Sequence, residues 1–191
     1  MMMPAPPLLR TLYARLPHRR TWLRISHTAM IPLLVWFIIV TPEMVLPFGN
    51  AAFQIHSALA LVFVTISLLW TADYLRRGMA GRPGPKLGPK GRVLHRILNT
   101  AIIWGLIGVA LTGFVLGLSS DRLLKAGGLL PFAPPLDLPT LNKISGQVHI
   151  YEFYLLGLIV AAHAAFHIWR HLKLRDNALR IMAPKALHRF L

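Results

Sequence analysis

The sequence predicts an all-α integral membrane protein, a four-helix bundle of up-down-up-down topology with both termini on the cytoplasmic side. Three observations predict it. Of the 191 residues 55% are hydrophobic and only 14% charged, and the mean hydropathy is positive, too apolar a balance for a soluble domain of this length. Runs of about 20 apolar residues recur near 22–41, 52–72, 97–118 and 147–169, each long enough to cross a bilayer. Basic residues gather on one side of those runs.

That gathering fixes the topology. Five basic residues precede or open the first span (Arg10, Arg15, Arg19, Arg20, Arg24), seven lie between spans two and three (Arg76, Arg77, Arg82, Lys86, Lys90, Arg92, Arg96) and six follow span four (Arg170, Lys173, Arg175, Arg180, Lys185, Arg189). Arg122, Lys125 and Lys143 fall on the other side. Positive charge stays in the cytoplasm, so the span number is even. The net charge of +15 therefore reads as topology with a secondary hold on anionic membrane lipid, and no nucleic-acid partner is expected. The chain has no cysteine. That excludes disulfides, thiolate-held iron–sulfur clusters and covalent c-type haem.

Residues 1–21 read as a basic cytoplasmic arm, with no short apolar core and cleavage site of a secretory signal. The domain then runs from 22 to 184, followed by a cytoplasmic tail, 185–191. Span one carries His27 about one turn inside the cytoplasmic interface, beyond Trp22 and Arg24, and Pro32 is expected to kink it. A lone histidine there is ordinarily a headgroup hydrogen bonder, so His27 matters only with a partner at its own depth. Span two brings Gln54 and His56 near its outer end and leaves the membrane at Trp70, Asp73 and Tyr74. Asp73 reads as an arginine-paired interfacial residue.

The loop from Gly78 to Gly91 reads as a flexible basic linker; it lacks the strand-then-helix context of a phosphate loop. His95, among Arg92 and Arg96, is expected outside the apolar core, solvated or bound to headgroups. Span three has no core histidine by this reading and would serve as a wall. Its Gly105, Gly108, Gly113 and Gly117 fit close helix packing, or room for a flat macrocycle, and the two are compatible. Residues 119–146 are apolar for a loop and are expected to fold back over the outer mouth of the bundle.

Span four carries His149 at its outer end and His163, His167 and His171 inward. Fourteen residues at about 100° each bring His163 back to within roughly 40° of His149, about 21 Å along the axis. Imidazoles in lipid are costly unless paired or ligated, so two on one face imply two stacked sites. Glu152, one turn inside His149, reads either as a proton carrier or ligand-orienting carboxylate, or as a residue tilting toward Lys143 at the interface. No catalytic residue is identified; Glu152 and Lys143 are the candidates.

By depth, His56 and His149 share the outer level, and His27 and His163 the cytoplasmic level. Two pairs at two depths suit two haems with histidine on both axial positions, a pattern for one-electron transfer. Zinc competes poorly, because it prefers four close ligands. His167 is five full turns from His149, so geometry leaves it open as the ligand in place of His163.

The run His163-Ala-Ala-Phe-His-Ile-Trp-Arg-His-Leu-Lys-Leu-Arg-Asp-Asn-Ala-Leu-Arg-Ile-Met-Ala-Pro184 is similar to the ending of the bacterial cytochrome b561 family, and residues 22–184 resemble that family. The resemblance implies two non-covalent b-type haems in four helices, with His27 and His163 on the cytoplasmic-side iron and His56 and His149 on the outer-side iron. His171 then matches a non-ligand histidine, and His167 falls where the family has a small or apolar residue. Thr28 replaces a frequent tryptophan, and the outer loop matches poorly. The resemblance further implies a bacterial inner membrane, electron exchange with the quinone pool and, in one branch, oxidation of superoxide at the outer face. Lys143, Arg122 and Lys125 at that mouth suit a small anion, set against Glu43, Asp121 and Asp137.

Two other readings stand beside this one. The same histidine spacing serves the cytochrome b anchor of a hydrogenase or dehydrogenase, which would carry a soluble partner subunit, whereas the stand-alone reading expects a lone chain or a homodimer. A haem-free transporter or structural bundle would use the histidines for protons.

Overall fold

The computed structural model describes residues 18–81, 83–126, 130–183 and 185–190. Most of the expected basic arm, with Arg10 and Arg15, lies outside the described residues, as do Arg82, Pro184 and Leu191. Four helices are long and apolar enough to cross a membrane: α1 (Arg19–Ile39), α2 (Asn50–Arg77), α3 (Pro89–Ser119) and α4 (Pro139–Trp169), the last continuing through a π-helical turn, Arg170–Leu174.

Local chemistry sets the ends of each helix. The His18 side chain accepts from the Arg20 N–H at the start of α1, and α1 stays one helix through Pro32. It stops where Val40 and Thr41 turn extended, the conformation that the following Pro42 favours in its predecessor. The connection, a helical turn (Pro42–Val45) and a 3-10 turn (Leu46–Phe48), closes on Gly49 at φ 91°, and α2 ends on Gly78 at φ 69°. Both positions suit glycine, which has no Cβ to clash there. α3 and α4 each open on a proline in the first turn, where its missing N–H has no helical partner to lose.

α3 and α4 are 31 residues each, or about 46 Å, well beyond the roughly 30 Å of hydrocarbon. Hydropathy marks only the lipid-facing middle, so the spans predicted from 97 and 147 begin eight residues inside the actual helices. α4 therefore absorbs residues 139–146 of the segment expected as a loop. Among the described residues of the same segment, β1 (Leu124–Ala126) and β2 (Leu130–Ala133) pair antiparallel, a small hairpin. It docks on α2 through buried Gln54, whose Nε2 donates to Leu123 O at 3.4 Å while its Oε1 accepts from Lys125 N–H at 3.2 Å.

α3 and α4 pack most closely, and glycine permits it. A Cβ on Gly105 would meet Leu156 at 3.0 Å, on Gly108 the Glu152 carboxylate at 3.4 Å and on Gly113 the His149 ring at 2.9 Å. Gly117 faces Leu124 of the hairpin instead. At the middle of the bundle Met30, Phe63, Leu106, Val109, Phe153 and Leu156 form a core drawn from all four helices. This core separates two polar levels, one at the hairpin end and one at the basic end that carries Arg19, Arg76, Arg77 and Arg170.

Candidate functional site

At the basic end His27 of α1, Trp70 of α2, His95 and Leu106 of α3, and His163 and His167 of α4 line one cleft, with about 1210 Å³ of empty space including its open mouth. His27 and His163, paired by depth in the sequence, thus face the same space. The His27 ring stacks on Trp70, centroids 5.9 Å apart and planes within 15°, while the Trp70 indole N–H donates to Ser26 Oγ at 2.7 Å. His163 and His167, one turn apart on α4, have ring centroids 4.4 Å apart. Both line the cleft, so the choice between them stays open in the geometry.

His95 corrects the expectation of a solvated residue. It is 2% exposed, its ring 5.9 Å from His167, and Gly81 packs against it. The cause is helical phase. α3 begins at Pro89, so His95 occupies its second turn and points inward, while Arg92 and Arg96 point out to solvent. α3 is therefore no bare wall.

Several buried nitrogens in this region have no hydrogen-bond partner among the described residues, including His163 Nδ1, His167 Nε2 and His171 Nδ1. A buried polar atom without a partner is expensive. The bare nitrogens of His163 and His167, which line this apolar-walled cleft, fit a flat, apolar cofactor whose metal would take an imidazole nitrogen.

The floor at this end is made by the chain's C-terminal segment. Arg170 and Asp176 form an ion pair at 2.7 Å with both side chains 1% exposed; Asp176 Oδ1 also accepts from Ala178 N–H at 3.1 Å. Gly84 lies directly against this pair, which leaves no room for a side chain. Arg175 and Asn177 take left-handed backbone, at φ 48° and 58°, to turn the chain back beneath the helices. Ile181 and Met182 then close on the cleft. Arg19 pairs with Asp73 at 2.6 Å, as the sequence led one to expect for Asp73.

At the hairpin end His56 is 8% exposed. Its Nδ1 accepts from the Trp36 indole N–H at 3.2 Å, and its ring meets Phe37 edge-on at 5.1 Å. His149 Nδ1 lies 3.0 Å from Thr112 Oγ1 of α3, and the same hydroxyl donates to Glu152 Oε2 at 2.7 Å. Glu152 thus turns toward Thr112 of α3. Lys143 is exposed and lies nine residues back, about 13 Å along the axis. A chain of ring contacts joins the two histidines, His56 to Phe37, Phe37 to Phe153 at 6.0 Å and Phe153 to His149 at 6.0 Å.

Among the described residues no three or more His, Cys, Asp or Glu side chains gather where a metal ion could sit; an iron already held by a porphyrin asks for only two. Sequence reading passed over Trp36, Thr112 and the buried Arg170. Thr112 carried one signal, a polar residue four past Gly108 on the face turned to α4. Trp36 and Arg170 carried none: one is an aromatic within an apolar span, the other one of six basic residues that follow span four.

A family model described as prokaryotic cytochrome b561 matches residues 18–185 of the chain. No curated protein and no solved structure matches it.

Proposed function

The chain belongs to the prokaryotic cytochrome b561 family, and from that premise we propose that it holds two b-type haems and passes single electrons between its two ends and the quinone pool. Its family and its four spans make it a multi-pass bacterial membrane protein, a b-type cytochrome of electron transfer. In this proposal His27 and His163 hold the basic-end haem, and His56 and His149 the hairpin-end haem. Its main support is the shared cleft of His27 and His163, with unpartnered imidazole nitrogen inside it. By the positive-inside bias the basic end, and both termini, lie in the cytoplasm of a bacterium bounded by its inner membrane.

His27 with His163, and His56 with His149, would hold the haems, whose iron would supply a reversible one-electron change. The protein's part is to hold, orient and insulate. Trp70 fixes the plane of His27 by stacking on it. Phe37, Phe63 and Phe153 keep the zone between the levels free of polar groups, with ring contacts of 5.8 to 6.0 Å among them. The floor bound by Arg170 and Asp176 closes the cleft toward solvent. His149 Nδ1 lies 3.0 Å from Thr112 Oγ1, and a ring proton held there leaves the Nε2 lone pair free to ligate. His56 needs one adjustment, the release of Trp36.

Quinone is the proposed exchange partner. Superoxide is a second candidate substrate at the hairpin end, where Arg122 lies over the Phe53 ring and beside Asp121 at 3.9 Å. The test is the purified protein. A pyridine haemochrome assay is expected to give two haems b per chain, and reduction by quinol and by superoxide, compared by stopped flow, identifies the donor. A preparation without reducible Soret and alpha bands would end the proposal. A co-purifying iron–sulfur subunit would move it to the anchor of a dehydrogenase or hydrogenase.

A further inference from the structure

We infer that Thr112 and Glu152 are positioning residues for the hairpin-end haem, acting together through the far nitrogen of His149. The inference rests on the two-haem reading above. Its basis is the direction of a hydrogen-bond chain. Thr112 Oγ1 has one proton and four close neighbours: Glu152 Oε2 at 2.7 Å, Gly108 O at 3.0 Å, Val109 O at 3.3 Å and His149 Nδ1 at 3.0 Å. Two backbone carbonyls can only accept, and so can a carboxylate. The hydroxyl proton therefore leaves toward oxygen, the shortest contact being the carboxylate, and the hydroxyl lone pair faces His149. A lone pair there requires that His149 Nδ1 carries the ring proton and donates it. Nε2 is then the unprotonated nitrogen, the one a metal can take.

The chain runs from His149 Nδ1–H to Thr112 Oγ1–H to Glu152. It does two things to the imidazole. It locks the tautomer and ring angle, as the distal partners of metal-bound histidines do. It also draws the ring proton toward an acidic acceptor, which raises the electron density the ring offers and favours ferric over ferrous iron. Gly108 and Gly113 belong to the same device, since side chains there would meet Glu152 at 3.4 Å and His149 at 2.9 Å. His56 has no such support: its Nδ1 faces an indole, which donates.

The experiment is a spectroelectrochemical titration of the holoprotein in detergent, with haem content measured on each sample. The wild type is expected to titrate in two waves. Thr112→Val, equal in shape but lacking the hydroxyl, should lower the oxidised-to-reduced ratio of one haem roughly tenfold at a fixed potential, an upward shift of about 59 mV for one electron. Thr112→Ser should restore the wild-type wave, and Glu152→Gln should move the same wave upward by less. The other wave should stay in place. If Thr112→Val loads poorly, the comparison of Thr112→Ser with Glu152→Gln still decides. Two loaded haems with unmoved waves in Thr112→Val and Glu152→Gln would overturn the inference alone, as would equal movement of both waves. A wild type with a single haem would overturn the two-haem reading and this inference with it.

Discussion

The indole N–H of Trp36 donates to Nδ1 of His56 across 3.2 Å, and an indole has nothing to accept with. His56 therefore keeps its ring proton on Nε2. This is the opposite tautomer from His149, whose Nδ1 faces an acceptor chain through Thr112 to Glu152. If iron is to take His56 by Nε2, the proton must cross to Nδ1 and Trp36 must let go. Trp36 is on the rim of the bundle, 37% exposed, so its ring has space to turn.

Replacing the indole tests this. A net hydrogen bond is worth about 1 kcal/mol, or about fivefold in an equilibrium. Trp36→Phe should raise the affinity of haem-depleted protein for its second haem by about fivefold, measured by haem titration of the Soret band. Loss of that haem in Trp36→Phe would show that the indole supports the loaded state instead.

His163→Ala should lower the haem content from two per chain to one, and the loss should fall on the basic-end haem. His167→Ala should leave both. The two rings touch, so the paired variants separate ligation from packing more cleanly than either alone. The reverse pattern would hand the axial position to His167.

Gly113→Ala places a carbon 2.9 Å from His149 Cε1, against a ring already held by Thr112. Overpacking of this kind costs about 1–3 kcal/mol, so hairpin-end haem affinity should fall at least about fivefold. Gly105→Ala makes a comparable approach, 3.0 Å, but to the flexible tip of Leu156, and should retain both haems. Haem content after gel filtration distinguishes them.

Arg170 and Asp176 are an ion pair with both side chains 1% exposed. Removing one partner leaves a buried charge uncompensated, at about 3–5 kcal/mol, whereas replacing both with apolar residues costs far less. Asp176→Leu should lower the thermal midpoint of haem release in detergent markedly, and Arg170→Met with Asp176→Leu should recover most of it. Equal losses in the single and double variants would assign the effect to packing.

Much of the fold could be read from the chain before any coordinates. The four spans followed from apolar length, and Asp73 was correctly expected to pair with arginine, here Arg19. Histidine depths could be assigned by counting residues, and His27 and His163 do line one cleft. The misreadings share a cause. His95 was placed in solvent because hydropathy averages over all faces of a helix, and two arginines on the outer faces hid one buried position. The direction of Glu152 is not legible in the chain, which does not state which way a neighbouring helix presents a hydroxyl.

Two fixed lengths made the first part readable: the rise of a helix residue and the thickness of a bilayer turn a list of residues into depths. Rotation about each helix axis has no such ruler. It is set by small contacts, Gly105 under Leu156 and Gly113 under His149, which bring α3 against α4 at one angle among many. That angle put Thr112 between His149 and Glu152 and turned His95 inward. The proton position on each imidazole followed from these neighbours, and no pattern along the chain carries it.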